Sequence, residues 1–269
     1  MIELINKIKS AVVDMYSKVE FDEKEHKYTR KSDGKWLAGI SSIADSLPKP
    51  YLMPWAAKMV VEFLQDKQEI IKILTPEEYL ELLDEAKTTH KRKSGEAMDL
   101  GTIGHKFCEE YVLAKIRNTE LPKMIKELKR PLEKFIEWEK ENVKQWVLSE
   151  AMVVDTEEEF AGRLDGLAIL KDDKLAVIDF KFSNQISPSY HLQTAGYSIP
   201  FSKYDIEIQD RIIIRLPKTP TKKVYNKETK QYTEEENNIE IARSSFDMAW
   251  DCENFRHARA IYKYINLVK

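Results

Sequence analysis

An α/β fold is predicted by three observations. Two apolar strands, led by Gly162-Arg163-Leu164-Asp165-Gly166 and by Leu175-Ala176-Val177-Ile178, flank the turn signal Lys171-Asp172-Asp173-Lys174. A third apolar run, Arg211 to Leu216, has the length of a buried strand. Amphipathic helical spacing surrounds all three. The 269 residues are read as a single domain. Residues 1–95 form a helical and hairpin elaboration, 96–217 the core, 218–240 a mobile loop or long hairpin, and 241–269 a C-terminal helix.

The elements follow in order. Residues 3–19 carry apolar spacing for a helix. His26-Lys27-Tyr28 and the stretch after Ser32-Asp33-Gly34-Lys35 read as a hairpin around an Asp-Gly turn. Pro54 suits the first turn of a helix that reaches about Gln65. Thr75-Pro76-Glu77-Glu78 is a capping box opening a helix to about Thr88. Helices are predicted from His105 to Ile116 and from Pro131 to Val143. Trp146 to Asp155 is the first core strand, and the strands at Gly162 and Leu175 follow it. A helix containing Gln193 comes next, then the strand at Arg211. Thr219 to Asn238 is polar and rich in lysine and glutamate, and Ser245 to Val268 closes as a helix. There is no internal repeat and no Pro/Gly-rich linker.

Composition is that of a globular chain, 42% hydrophobic and 33% charged. No apolar run has membrane-spanning length, and Met1-Ile2-Glu3-Leu4-Ile5 begins an amphipathic helix in place of a signal peptide, so the expectation is a cytoplasmic protein. Two cysteines, Cys108 and Cys252, give no disulfide framework. The net charge of −3 excludes a uniformly basic nucleic-acid coat. Local basic runs remain at Lys87, Lys91, Arg92 and Lys93, and at Lys218, Lys222, Lys223, Lys227 and Lys230.

Chemistry concentrates in four segments. Asp179 and Lys181 are two apart on a strand and share a face, while Phe180 points the other way. Charges in so apolar a strand cost stability unless they are paired or bind a metal. With Asp165 they form a set of two acids and a lysine. Acids of this kind bind a hard divalent cation, and the lysine can orient water or hold a phosphate. His105 and Glu109 are four apart and share a helical face; the imidazole suits a transition metal and the carboxylate can orient the ring. Gln193 and Tyr197 share a face of their helix, with Tyr190 one turn earlier. Trp36, Tyr51 and Trp55 are core anchors or stacking platforms for bases.

The order G-x-x-x-H-x-x-x-E, G-x-x-D, D-x-K, Q-x-x-x-Y over residues 101–201 resembles the PD-(D/E)XK nuclease superfamily, in its RecB-like, phage-type exonuclease branch. His26-Lys27-Tyr28, Ile40-Ser41-Ser42-Ile43 and Trp55-Ala56-Ala57 resemble the front end of phage exonucleases. Cas4 proteins and mitochondrial genome-maintenance exonucleases are more distant relatives. The resemblance implies a restriction-endonuclease-like core, a mixed central sheet flanked by helices. It implies one or two Mg²⁺ or Mn²⁺ ions held by His105, Asp165, Asp179 and the Phe180 backbone carbonyl, with Lys181 catalytic and Glu109 supporting. Lys181 would act electrostatically or, if its pKa is lowered, as a base. Gln193 and Tyr197 would contact DNA, joined by Tyr190, Arg163, Lys91, Arg92 and Lys93. Two cysteines do not make an iron-sulfur site, so none is expected. The implied function is a metal-dependent DNA exonuclease of recombination, replication or repair. It would act on single- or double-stranded DNA with a free end, in a bacterial host cell if phage-encoded. A single-strand annealing protein is a possible partner. A structure- or sequence-directed endonuclease and a catalytically quiet nucleic-acid-binding or inhibitor protein are the alternatives.

Overall fold

The structure, a computed structural model, describes residues 1–226, 231–243 and 248–267. They form two compact units: Met1–Leu47 with Gly104–Lys269, and Pro48–Ile103.

The first unit is built on an eight-stranded mixed sheet. Its strands are β1 (Val19–Asp22), β2 (Lys27–Arg30), β3 (Trp36–Gly39), β4 (Val143–Asp155), β5 (Phe160–Leu170), β6 (Leu175–Lys181), β7 (Asp210–Arg215) and, later in the chain, β10 (Glu240–Arg243). The order is β1-β2-β3-β5-β6-β7-β10, with β4 also paired to β5. β3–β5 and β6–β7 are parallel and the other pairs antiparallel. Between β7 and β10, β8 (Thr221–Asn226) and β9 (Gln231–Glu236) make a separate two-stranded hairpin.

Both faces of the central strands are covered, which is why they read as near-continuous apolar runs. Leu175 and Val177 of β6 face a core shared with α1 (Ile2–Lys18), α7 (Pro188–Ser202) and α8 (Met248–Leu267). On the opposite face the Phe180 ring meets Phe135 of α6 (Lys129–Asn142) at 5.0 Å. Phe135 in turn meets Tyr111 of α5 (Pro76–Arg117) at 5.4 Å. All three aromatic side chains are fully buried, each stabilising the packed state by roughly 1.5–3 kcal/mol.

The edges of β5 decide where a site can form. β4 occupies one edge along its whole length, from Val143–Leu170 to Asp155–Phe160. β3 and β6 therefore share the other edge. β3 takes Phe160 and Ala161, β6 takes Gly166 to Ile169, and residues 162–165 between them carry no ladder partner there. The sheet parts at this point, and partings of this kind are where α/β sheets place ligands.

The second unit holds α3 (Leu52–Asp66), the short α4 (Gln68–Ile71) and the first part of α5. The capping box forms as predicted: Thr75 N donates to Glu78 Oε2 at 2.8 Å, and Glu78 N to Thr75 Oγ1 at 3.3 Å.

Several expectations are corrected. Residues 89–104, read as a connection between two helices, are helical, so that α5 runs unbroken from Pro76 to Arg117. Within residues 1–95, read as a helical and hairpin elaboration, β1–β3 extend the central sheet. β1 itself was not anticipated. Glu240–Arg243 is a strand paired to β7, not the start of the C-terminal helix, and Arg215 Nε fixes it by donating to Glu240 Oε2 at 3.1 Å. α8 begins at Met248; residues 245–247 and 268 of the predicted helix lie outside the described residues. Among the described residues no helix is long and apolar enough to cross a membrane.

Candidate active site

Strand register brings three carboxylates into one row. Ser149 pairs Gly166 and Ala151 pairs Leu164, so Glu150 of β4 stands across from Asp165 of β5. Gly166 pairs Ile178, which sets Asp165 across from Asp179 of β6, just beyond the last ladder pair. Directly opposed residues share a sheet face. Glu150, Asp165 and Asp179 therefore cross three strands side by side at the parting of the sheet.

Lys181 sits one pleat beyond Asp179. Its Nζ donates to Asp179 Oδ1 at 2.9 Å, lies 2.8 Å from Oδ2, and stands 5.1 Å above the Tyr190 ring. The Phe180 N–H donates to Asp165 Oδ2 at 2.7 Å. A strand residue turns its N–H and C=O to the same side, so the Phe180 carbonyl also faces the β5 side of the row.

His105 reaches the row from α5. Its Nδ1 is 3.8 Å from Asp165 Oδ2, and its ring rests edge-on to Phe182 at 5.3 Å. Gly104 permits this approach, because a Cβ there would fall 2.3 Å from Phe182 Cε1. Glu109, one turn on, is half-buried. Among the described residues no hydrogen bond joins it to His105, so the expected ring-orienting contact is not made, although its charge is felt at Asp165 and Glu150. Between them Cys108 is fully buried.

On α7, Gln193 Nε2 donates to Tyr197 Oη at 2.7 Å. Tyr197 is 3% exposed. That is too little for the DNA contact expected of it, and it holds the Gln193 amide in place. Arg163, one pleat from Asp165, lies over the Phe21 ring at 5.0 Å.

Crowded acids in a dry setting titrate abnormally. Burial raises Asp179 to about 6, against the pull of Lys181. Burial also raises Asp165. Burial, then Asp165 and Glu109, raise Glu150 to about 8. His105 is lowered to about 4 by burial and by Lys181, so the ring is neutral at pH 7 and its nitrogens can serve as ligands. Burial pushes Lys181 down, but Asp179 and Asp165 outweigh it and the net direction is up. In the metal-free site Lys181 is therefore held in its charged form.

Among the described residues no group of three or more His, Cys, Asp or Glu side chains is arranged to hold a metal ion. The donor chemistry does fit one. Carboxylate oxygens of Asp165 and Asp179 with a neutral imidazole suit Mg²⁺ or Mn²⁺, and a cation would relieve acids that burial disfavours. Lys181 donates to Asp179 Oδ1 and the Phe180 amide to Asp165 Oδ2, while Asp179 Oδ2 is buried without a hydrogen-bond donor among the described residues.

The remaining expected residues lie elsewhere. Lys91, Arg92 and Lys93 stand exposed on the second unit, where Arg92 pairs with Glu85 at 3.3 Å and Lys93 with Glu62 at 3.7 Å. Lys87 pairs with Asp84 at 2.6 Å. Lys218 is half-buried, and Lys222 and Lys223 are exposed on β8 of the β8–β9 hairpin; Lys227 and Lys230 lie outside the described residues. Trp36 is set away from the row, since Ala38 already pairs with Phe160 at the start of β5, and it rests against Tyr262. Tyr51 and Trp55 belong to the second unit. Glu150 was missed. Its one visible signal is a lone acid ahead of the apolar Ala151-Met152-Val153-Val154. Its φ of 49° is unusual for a non-glycine residue in a strand.

No family model matches the chain, and no curated protein does. Among solved structures it is similar to one described as the crystal structure of SSO0001, at 11% identity and a TM-score of 0.31, over 95% of this chain and 84% of that one.

Proposed function

We propose that this protein is a metal-dependent deoxyribonuclease of the PD-(D/E)XK type that degrades DNA from a free end. The observation that carries the reading is the row of Glu150, Asp165 and Asp179 at the parting of the sheet, with Lys181 against it. Three buried or half-buried acids outnumber the two cations beside them, Lys181 and Arg163, which a structural ion pair does not require. Asp165, Asp179, His105 and the Phe180 carbonyl would hold Mg²⁺ or Mn²⁺, which supplies an acidified water and neutralises charge on the scissile phosphate. Lys181, kept charged by its acids, turns from Asp179 to the oxyanion that develops on that phosphate. In the metal-free protein burial and the neighbouring acids favour the neutral form of Glu150. Gln193, Tyr190 and Arg163 surround the place where the strand would lie.

The test compares end-labelled linear DNA, single- and double-stranded, with covalently closed circles in Mg²⁺ and in Mn²⁺. Progressive shortening of linear DNA with persistence of circles is expected. Rapid cutting of circles makes the protein an endonuclease with the same site, and inertness toward every substrate refutes the nuclease reading. Lys181→Ala should lower cleavage by about 10²–10³-fold while binding in Ca²⁺ stays near wild type, because the lysine acts on the transition state.

A further inference from the structure

A hollow of about 300 Å³ adjoins the acidic row and is lined by none of His105, Asp165, Asp179 and Lys181. Its outer wall is the β1–β2 hairpin. The Phe21 and Tyr28 rings lie 4.5 Å apart at 31°, and His26, at the turn, is 5.6 Å from Phe21. Glu150, Arg163 and Gln193 line the side that it shares with the row. The hollow and the candidate active site are thus continuous.

Its lining selects a kind of ligand. Aromatic rings beside one amide, the Ser41 and Ser42 hydroxyls and one flat guanidinium, which itself stacks over Phe21, suit a planar group with a polar edge. A phosphate is poorly served. Arg163 is the one Lys or Arg among the described residues lining the hollow; its Nη2 is 3.5 Å from Glu23 Oε1, and Glu150 faces the same space. A wholly apolar ligand would desolvate Arg163 and Gln193 while adding nothing to the bonds they make to Glu23 and Tyr197. The volume is at the small end of ligand pockets, room for one nucleoside and too little for the end of a duplex.

We propose that the β1–β2 hairpin forms a stacking subsite for one unpaired DNA base, held among Phe21, His26 and Tyr28 with Arg163 and Gln193 at its edge. The proposal rests on the nuclease reading and narrows it: the strand that enters the site does so unpaired. A paired base offers neither its faces nor its pairing edge, so the subsite favours single strands and frayed ends over blunt duplex.

The experiment uses single-stranded oligonucleotides carrying the fluorescent base 2-aminopurine at successive positions, with the full chain in Ca²⁺, and a blunt hairpin duplex as control. Wild type should quench the probe strongly at one position. Phe21→Leu keeps apolar packing but loses the ring, and His26→Gly suits the left-handed backbone there, φ 51°. Both should retain the wild-type circular dichroism. Each should lose the quenching and bind single strands about 5- to 100-fold more weakly, with duplex affinity unchanged. If both folded variants quench and bind as wild type does, the subsite is refuted, and the nuclease reading stands wherever wild type still degrades DNA in Mg²⁺. Tighter binding of 5′-phosphorylated oligonucleotides that disappears in Arg163→Gln puts a phosphate in the hollow and likewise overturns the proposal. A wild type that neither binds nor cleaves any DNA overturns both readings.

Discussion

Of the places where this molecule buries charge, two do it in opposite ways. On the α7–α8 side of β7, Arg211 forms an ion pair with Asp251, both side chains nearly inaccessible, and donates a second bond to the His191 carbonyl at 3.1 Å. The cation has its anion beside it. In the row across β4, β5 and β6, Asp165 and Asp179 share Lys181 while Glu150 has only Arg163 to draw it down, and burial pushes all three acids upward. The first arrangement is complete within the chain and works as structure. The second carries surplus negative charge, which the folded state tolerates at a cost and which an external cation would relieve. A balanced buried pair fastens elements together; an unbalanced one is poised to bind.

The contrast breaks most sharply at Asp251. Asp251→Asn leaves Arg211 buried and uncompensated, so a loss of about 3–5 kcal/mol is expected, read as a lower midpoint in urea. A loss below 1 kcal/mol would mean that the pair is not the fastening it looks like.

Asp179→Asn should act in the opposite direction in metal-free buffer. The folded-state pKa of Asp179, about 6, lies above its ordinary value of 3.8, so its contribution is present at low pH and is lost as pH rises toward and through 6. At pH 7.5 the substitution should raise Tm by a few degrees, equivalent to ~1–2 kcal/mol for a chain of this size. Below pH 4 it should gain nothing. Calorimetry with Mn²⁺ should show the metal affinity gone. A variant less stable at pH 7.5 would place Asp179 with Asp251 as a structural acid.

Glu150→Gln is the finest probe. Its window runs from the ordinary 4.5 up to about 8, and solvent at this half-buried side chain screens the effect. The gain should be near zero at pH 4.5 and should grow to roughly 1 kcal/mol at pH 8.5, measured as the difference between thermal melts. A gain independent of pH would remove Glu150 from the row.

Different parts of this arrangement were legible for different reasons. Asp179 and Lys181 were readable because alternation on a strand is a period of two, and Asp165 because a glycine-bounded acid led the preceding strand. His105 followed from helical spacing. Glu150 was hidden, since its place depends on the register of β4 against β5, and register is not written in either strand alone. The long α5 was hidden by its own composition. Gly95, Gly101 and Gly104 each weaken a helix by about 1 kcal/mol, and only the contact of Gly104 with Phe182 shows what that weakness permits. β1 and β10, four residues each, exist by pairing, and four residues carry too little pattern to announce it. Tyr197 was legible as a neighbour of Gln193, whereas its burial was not.

The parallel pairing of β3 with β5 has a consequence for how the molecule assembles. It joins residue 38 to residue 160, and all of residues 48–103 lie in the intervening chain. On the ribosome the N-terminal hairpin emerges long before the strand that receives it, so the aromatic wall of the hollow waits for β5. Closing so long a loop slows folding more than it penalises stability: each doubling of its length costs only about 0.6 kcal/mol. The chain between α2 (Ile40–Ala44) and α5 is therefore free to lengthen or shorten over generations, while the row of acids, set by register within β4, β5 and β6, stays where it is.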